Sequence, residues 1–205
     1  LWQSGVRRLD RVVISHADSD HAGGLDRFSA ATFHLQAAEM AYATGPCMCH
    51  DTLKMPFTAD HVCEAIRRLY SGRVIFADGD REIADGVTLH RIGGHSRGLQ
   101  AVRVRTRAGW MVLASDAAHF YENLWARKPF PIVVDIEDML AGYDRMRGLA
   151  SAPGLIVQPV EHRLQIGRER RGERERIAGD GLGEGDVGRV QEVALQRPGG
   201  GVRLA

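Results

Sequence analysis

The chain has 205 residues, a formal net charge of +1 and 44% hydrophobic content, enough for one domain with a sizeable core. The balanced charge excludes binding driven by a basic field, so no nucleic-acid or membrane-surface partner is expected, and no run of about 18 apolar residues exists to span a bilayer. Three cysteines, Cys47, Cys49 and Cys63, are too few for a disulfide framework. They fit a reducing compartment, and with no charged-then-apolar leader in view a cytoplasmic protein is expected.

In chain order, Arg11–Ser15 reads as a buried strand, followed by a polar loop with two glycines. Ala22–Phe28 reads as a short helix, Ala31–Leu35 as a strand, Gln36–Tyr42 as a helix, and 43–58 as irregular around Gly45, Pro46 and Pro56. Apolar residues at Val62, Ile66 and Leu69 predict a helix over Ala59–Tyr70, with Asp60 as its N-cap. Val74–Ala77 and Val87–Ile92 read as strands around an Asp78-Gly-Asp turn. Leu99–Thr106 and Trp110–Ala114 read as a hairpin. Asp135–Leu149 is an amphipathic helix with Ile136, Met139, Leu140, Tyr143, Met146 and Leu149 on its apolar side, and Leu155–Val157 is a last strand. Loose alternation of strands and helices predicts an α/β layered domain over residues 1–162. Residues 163–205 hold ten of the 24 glycines and a mixed charge run from Arg168 to Arg176. So little apolar area there predicts a disordered tail.

The chemistry concentrates in His16-x-Asp18-x-Asp20-His21, four potential metal ligands in six residues directly after a strand. Alternate residues leaving a strand project to one side, so positions 16, 18 and 20 can converge. Imidazole nitrogens with carboxylate oxygens suit zinc, manganese or iron, and no thiolate set lies nearby. Two further groups stand at strand ends: His95 in the glycine-rich Ile92–Gly98 loop, and Asp116 after the apolar run Val112–Ala114. Cys47-x-Cys49-His50 has no second pair and reads as a surface loop, and His34, His50, His61 and His90 read as structural or exposed. No phosphate-loop pattern occurs.

His16-x-Asp-x-Asp-His21, Gly94-His95-Ser and Ser115-Asp116 resemble three ligand motifs of the metallo-β-lactamase superfamily over about residues 9–157. Phe33-His-Leu-Gln36, Glu39-Met-Ala-Tyr42 and Ala114–Asn123 are similar to its N-acyl homoserine lactonase branch. The resemblance implies an αβ/βα sandwich with two divalent metal ions, zinc first, at one edge of the sheets. His16, Asp18 and His95 would hold the first ion, Asp20 and His21 the second, with Asp116 bridging. It implies a small-molecule lactone or ester substrate, opened by metal-activated water, with Asp20 moving the proton and His119 or Tyr121 donating to the oxyanion. Met48 and Phe57 would line an acyl pocket. A glyoxalase II-like thioesterase and an inactive fragment are the alternatives, and the oligomeric state is left open.

Four departures accompany the resemblance. Asp18 stands where the family most often has His. His162, the counterpart of the second ion's last histidine, comes two positions late and lacks a following Asp. His119 occupies the position of a lactonase tyrosine, with Tyr121 close by. The family has several strands before its histidine motif, whereas this chain begins about one strand ahead of it, so an open sheet edge is expected.

Overall fold

The computed structural model describes residues 9–152, 156–157 and 193–195, so His162 and most of the predicted tail lie outside the described residues. Strand β1 (Arg11–Val13) is followed by helix α1 (Ser19–Ala22), strand β2 (Thr32–Gln36), helix α2 (Ala37–Ala43), helix α3 (Asp51–Lys54) and helix α4 (Ala59–Tyr70). Strands β3 (Val74–Ala77), β4 (Arg81–Ala84), β5 (Val87–Arg91), β6 (Gln100–Thr106) and β7 (Gly109–Leu113) come next. Helices α5 (Tyr121–Ala126) and α6 (Ile136–Leu149) and strands β8 (Ile156–Val157) and β9 (Val193–Leu195) complete the order.

Two sheets form, with strand orders β3-β2-β1-β9 and β4-β5-β6-β7-β8. Side-chain alternation along each strand assigns its two faces to different layers. Val13 points one way and packs with Val87, Leu89, Val102 and Val104, filling the space between the sheets. Its neighbours Val12 and Ile14 point the other way, where with Phe33 and Leu35 they meet Ala65 of α4. On the far side of the second sheet, Leu99, Ala101 and Val112 pack under Met139, Tyr143 and Met146 of α6. Helix, sheet, sheet and helix therefore stack as an αβ/βα sandwich. Because β1 is buried on both faces, it reads as an unbroken apolar run.

Several local expectations change. The helix predicted over 22–28 is not formed: α1 lies earlier, in the expected loop, and ends at Ala22, and beyond Gly23-Gly24 only a 3-10 turn follows at Leu25–Arg27. The segment 43–58 is not wholly irregular: Pro46 opens a 3-10 turn over Pro46–Cys49, and α3 follows. Helix α4 is capped at Thr58 rather than Asp60, and the Thr58 hydroxyl is tied to Ser19 Oγ at 2.7 Å. Strand β4 escapes the sequence reading. It pairs with β5 through Asp85-Gly86, where Gly86 takes the positive φ (70°) that such a turn requires. Ile136 is exposed instead of facing the core.

The edge expected to be open is occupied. Within the segment expected to lack structure, β9 runs antiparallel on β1, with Val13 opposite Val193. An unpaired edge of N–H and C=O groups templates such a strand. No helix among the described residues is long and apolar enough to cross a membrane.

Candidate metal centre

Three chain segments bring donor groups to one edge of the sandwich. The first follows β1. Ile14 N donates to His34 O at 3.0 Å, and Gln100 N donates to Ser15 O at 2.9 Å, so the segment is anchored to both sheets before His16 begins. His21 N and Ala22 N then donate to Asp18 O at 2.9 and 2.8 Å, starting a helical turn. The side-chain period changes there from two to about 3.6. His16 and Asp18 still converge as strand alternation predicts, but His21, one turn after Asp18, joins them and Asp20 swings outward. His16, Asp18 and His21 are buried, whereas the Asp20 side chain is 76% exposed, with Oδ2 3.6 Å from His21 Nε2.

The second segment depends on glycine. Gly93 and Gly94 adopt φ of 74° and 85°, and a Cβ on Gly94 would lie 2.6 Å from the Met139 Cα. Helix α6 can therefore seat directly on the loop. Gly94 O accepts from Val134 N and Asp135 N, and Asp135 also caps α6 by accepting from Asp138 N. His95 follows, with Nδ1 donating to Ile132 O at 2.9 Å, so its Nε2 faces inward. The third segment leaves β7 through Ser115, a non-glycine residue at φ 50°, which turns the chain so that Asp116 enters the cluster.

The donors meet in two groups, His16–Asp18–His95 and His16–His21–Asp116. In the first, His95 Nε2 is 3.2 Å from His16 Nε2 and 3.2 Å from Asp18 Oδ2, and His16 Nε2 is 3.6 Å from Asp18 Oδ2. A point equidistant from these three atoms lies at least about 1.9 Å from each, just inside the roughly 2.0–2.2 Å bonds zinc makes to nitrogen and oxygen. The triangle thus fits a zinc-sized ion slightly above its plane, the relation tetrahedral ligation requires. Asp116 Oδ2 is 3.0 Å from His21 Nε2, 3.6 Å from His16 Nε2 and 3.9 Å from His95 Nε2, facing both groups.

The electrostatics suit a cation. Burial pushes the Asp18 and Asp116 carboxyls up, but hydrogen bonds and charges from His16 and His95 on Asp18, and from His21 first on Asp116, hold both well below the usual carboxylate range. Burial works against the charge on His21 and His95, yet Asp116 and Asp18 respectively raise their proton affinity above the ordinary histidine value. Ionised carboxylates thus face imidazoles in a buried cluster, where an ion has little competition from water.

The other predicted residues lie around this centre. His119 stacks on Phe130 with ring centroids 3.8 Å apart, its ring 5.9 Å from that of His95. Burial lowers its pKa, a shift that Asp116 opposes and His95 and His16 reinforce, which favours the neutral ring with one N–H to donate. Tyr121 donates its hydroxyl proton to Ile156 O at 3.0 Å, away from the oxyanion role expected of it. Phe57 packs against Tyr42 at 5.6 Å.

Sequence reasoning missed the buried polar residues behind the donors. Glu39 Oε1 accepts from Ala17 N at 2.9 Å, while Oε2 accepts from Ser96 Oγ and from Gly98 N at 2.7 Å. One carboxylate thus ties the His16 loop to the His95 loop. Gln100 Nε2 donates to Ile14 O and His34 O, and Gln36 Nε2 donates to Gln100 Oε1, clasping the sheets beneath the site. Single acids and amides carry no spacing signal, which is why only the resemblance touched Glu39.

Sandwich, strand-end loops and clustered His/Asp donors together make a candidate metal centre at one edge of the fold. Residues 1–152 match the Metallo-beta-lactamase superfamily, and the chain belongs to that superfamily. Among curated relatives, a probable metallo-hydrolase of Mycobacterium tuberculosis is 30% identical over 157 residues, covering 71% of this chain and 49% of the relative. An N-acyl homoserine lactonase of Bacillus cereus is 29% identical over 141 residues, covering 68% and 47% respectively. The chain thus spans about half the length of the curated relatives it matches. Among solved structures, an N-acyl homoserine lactone hydrolase with N-hexanoyl-L-homoserine at its catalytic metal centre superposes with a TM-score of 0.60 at 23% identity, over 74% of this chain and 57% of that one. A quorum-quenching N-acyl homoserine lactone hydrolase gives 0.55 at 26% identity, over 66% and 50%.

Proposed function

We propose that the chain forms a metal-dependent hydrolase of lactone or ester bonds, with N-acyl homoserine lactones as its substrates and quorum quenching as its effect. The observation that carries this reading is the buried donor triangle of His16, Asp18 and His95, sized for a zinc-like ion. In this reading those three residues hold one divalent ion. His21 would hold a second, joined by Asp20 once its exposed side chain, 3.6 Å from His21 Nε2, turns inward, and Asp116, facing both groups, would be shared. His162, outside the described residues, is the further candidate for the second ion. Zinc is the first choice, with manganese or iron as alternatives. Residues 1–162 form the working unit, and the free thiols of Cys47, Cys49 and Cys63 are in keeping with a reducing cytoplasm.

When bound, the divalent ions supply Lewis acidity to the carbonyl and make water acidic enough to attack near neutral pH. The chain's own groups do the rest. His119 donates a hydrogen bond to the carbonyl oxygen as negative charge grows there. Asp20, exposed at the mouth, accepts the attacking water's proton and returns it to the leaving alkoxide. The product is the ring-opened acyl homoserine.

The test is metal content and product formation on the same preparation of the full chain. Close to two ions per chain, with ring opening faster on a homoserine lactone than on a glutathione thioester or simple ester, is the expected result. Faster thioester cleavage would replace the substrate class. Absence of bound metal after exposure to zinc, manganese and iron would defeat the reading.

A further inference from the structure

We propose that Ser15 is a positioning residue whose single hydroxyl oxygen accepts from the Nδ1–H of two metal-site histidines at once and so holds both rings in their ligating orientation; this rests on the metal reading above. Ser15 Oγ lies 3.1 Å from His16 Nδ1 and 3.3 Å from His21 Nδ1, and the residue is buried. A hydroxyl oxygen carries two acceptor lone pairs and one proton. A neutral imidazole offers an Nε2 lone pair only when its proton sits on Nδ1. For His16 and His21 to turn Nε2 lone pairs toward an ion held beside Asp18 and Asp116, both Nδ1 atoms must be protonated donors, and Ser15 Oγ is placed to accept from both through its two lone pairs, its own proton pointing away from the two rings. Ile132 O performs the same service for His95 at 2.9 Å.

The placement of Ser15 is not left to its side chain. Its carbonyl accepts from Gln100 N at 2.9 Å, and Gln100 is itself held by Gln36, so the Ser15 backbone is fixed relative to both sheets. The rings of His16 and His21 stand 4.0 Å apart at 41°, an arrangement one acceptor can reach from the shared Nδ1 side. Because His16 belongs to both donor groups and His21 to the second, Ser15 acts on the whole centre rather than on one ion. A hydroxyl is used where a carboxylate would add charge to a site that already holds Asp18, Asp20 and Asp116.

The test uses the full chain with 15N-labelled histidine, loaded with zinc, beside Ser15→Ala and Ser15→Thr. In the parental protein, His16 and His21 are expected to show Nδ1–H protons that exchange slowly, with Nε2 as the ligating atom. Ser15→Ala should bind zinc 10–100-fold more weakly in chelator competition, the range typical of lost outer-sphere partners, and expose those protons to exchange. Ser15→Thr, which keeps the hydroxyl, should restore most of the affinity. Nε2 protonation of either ring in the parental protein overturns the assignment without needing any variant to fold. So does a folded Ser15→Ala that binds zinc as tightly as the parent. A parental chain that takes up no zinc defeats the metal reading and this one together, a result distinct from equal binding by parent and variant.

Discussion

Substitution of Gly94 by alanine should disturb the fold and the centre together, and its size can be worked from the structure. The added Cβ would sit 2.6 Å from the Met139 Cα and Cβ and 2.8 Å from its nitrogen. Carbon atoms pack at about 3.5–4.0 Å, so α6 or the loop must retreat by roughly 1 Å. The φ of 85° adds the left-handed penalty of about 1–2 kcal/mol for a residue with a Cβ, and overpacking adds about 1–3 kcal/mol. Together these give roughly 2–5 kcal/mol, or a fall in unfolding temperature of roughly 4–20 °C for a domain of this size. His95 is the next residue, and a shift of roughly 1 Å far exceeds the ±0.2 Å that metal ligation tolerates. Zinc affinity should therefore fall at least about tenfold as well. Thermal unfolding of the metal-free chain and zinc competition measure the two effects separately. Gly148→Ala, whose Cβ meets nothing within 4 Å on the same helix, is the control and should be neutral or stabilising. A Gly94→Ala protein that unfolds at the parental temperature and binds zinc unchanged would refute the close-approach reasoning.

Three further outcomes follow from named contacts. His34 is buried, neither ring nitrogen has a hydrogen-bond partner among the described residues, and burial, aided by Arg11 and Arg81, depresses its pKa to about 4. The unfolded chain, with the ordinary value of 6.5, binds the proton first, so stability falls as pH drops from 6.5 toward 4. The loss should reach about 2 kcal/mol at pH 5, and urea unfolding should show it largely absent in His34→Leu. Glu39→Gln places an amide N–H₂ against the donors Ser96 Oγ and Gly98 N, and should cost about 2–3 kcal/mol in denaturant unfolding; an unchanged midpoint would exclude its bracing role. Ser115→Gly relieves a φ of 50° and removes a buried hydroxyl that has no partner among the described residues. It should stabilise the chain by up to about 1 kcal/mol without weakening zinc binding, and a destabilised variant would show that the hydroxyl matters.

How much of this was legible in the sequence depends on the range of the interaction that decides each element. Helix α4 and strand β3 match their predicted bounds because local periodicity decides them. Strand β4 carries a local signal too, Asp85-Gly86 between apolar residues, but reading Asp78-Gly79-Asp80 as the one turn passes over it. Ile136 illustrates the opposite limit. Its spacing puts it on the apolar side of α6, yet the helix seats farther along, where Met139 meets Gly94 and Gly142 meets Ile92, so the first turn overhangs into solvent. Strand β9 pairs with β1 across about 180 intervening residues, a contact no local window can report.

The centre divides along the same line. His16, Asp18, His21, His95 and Asp116 were legible because strand ends deliver side chains to a common rim, and the structure brings all five together. The orientation of Asp20 was not, because it turns on where the first helical turn begins, and one residue of shift exchanges Asp20 for His21 as the inward group. Least legible were Glu39, Ser15 and Gln100, whose partners lie in other segments and whose residue types are ordinary in solvated loops. Yet these three help determine whether the donors hold their spacing: among the described residues the two ligand segments are joined by the Glu39 carboxylate, the Gln100 side-chain amide and the bond from Gln100 N to Ser15 O. Substitutions at the donors should abolish metal binding. Substitutions at the braces should lower stability and metal affinity in proportion, because the same hydrogen bonds serve both.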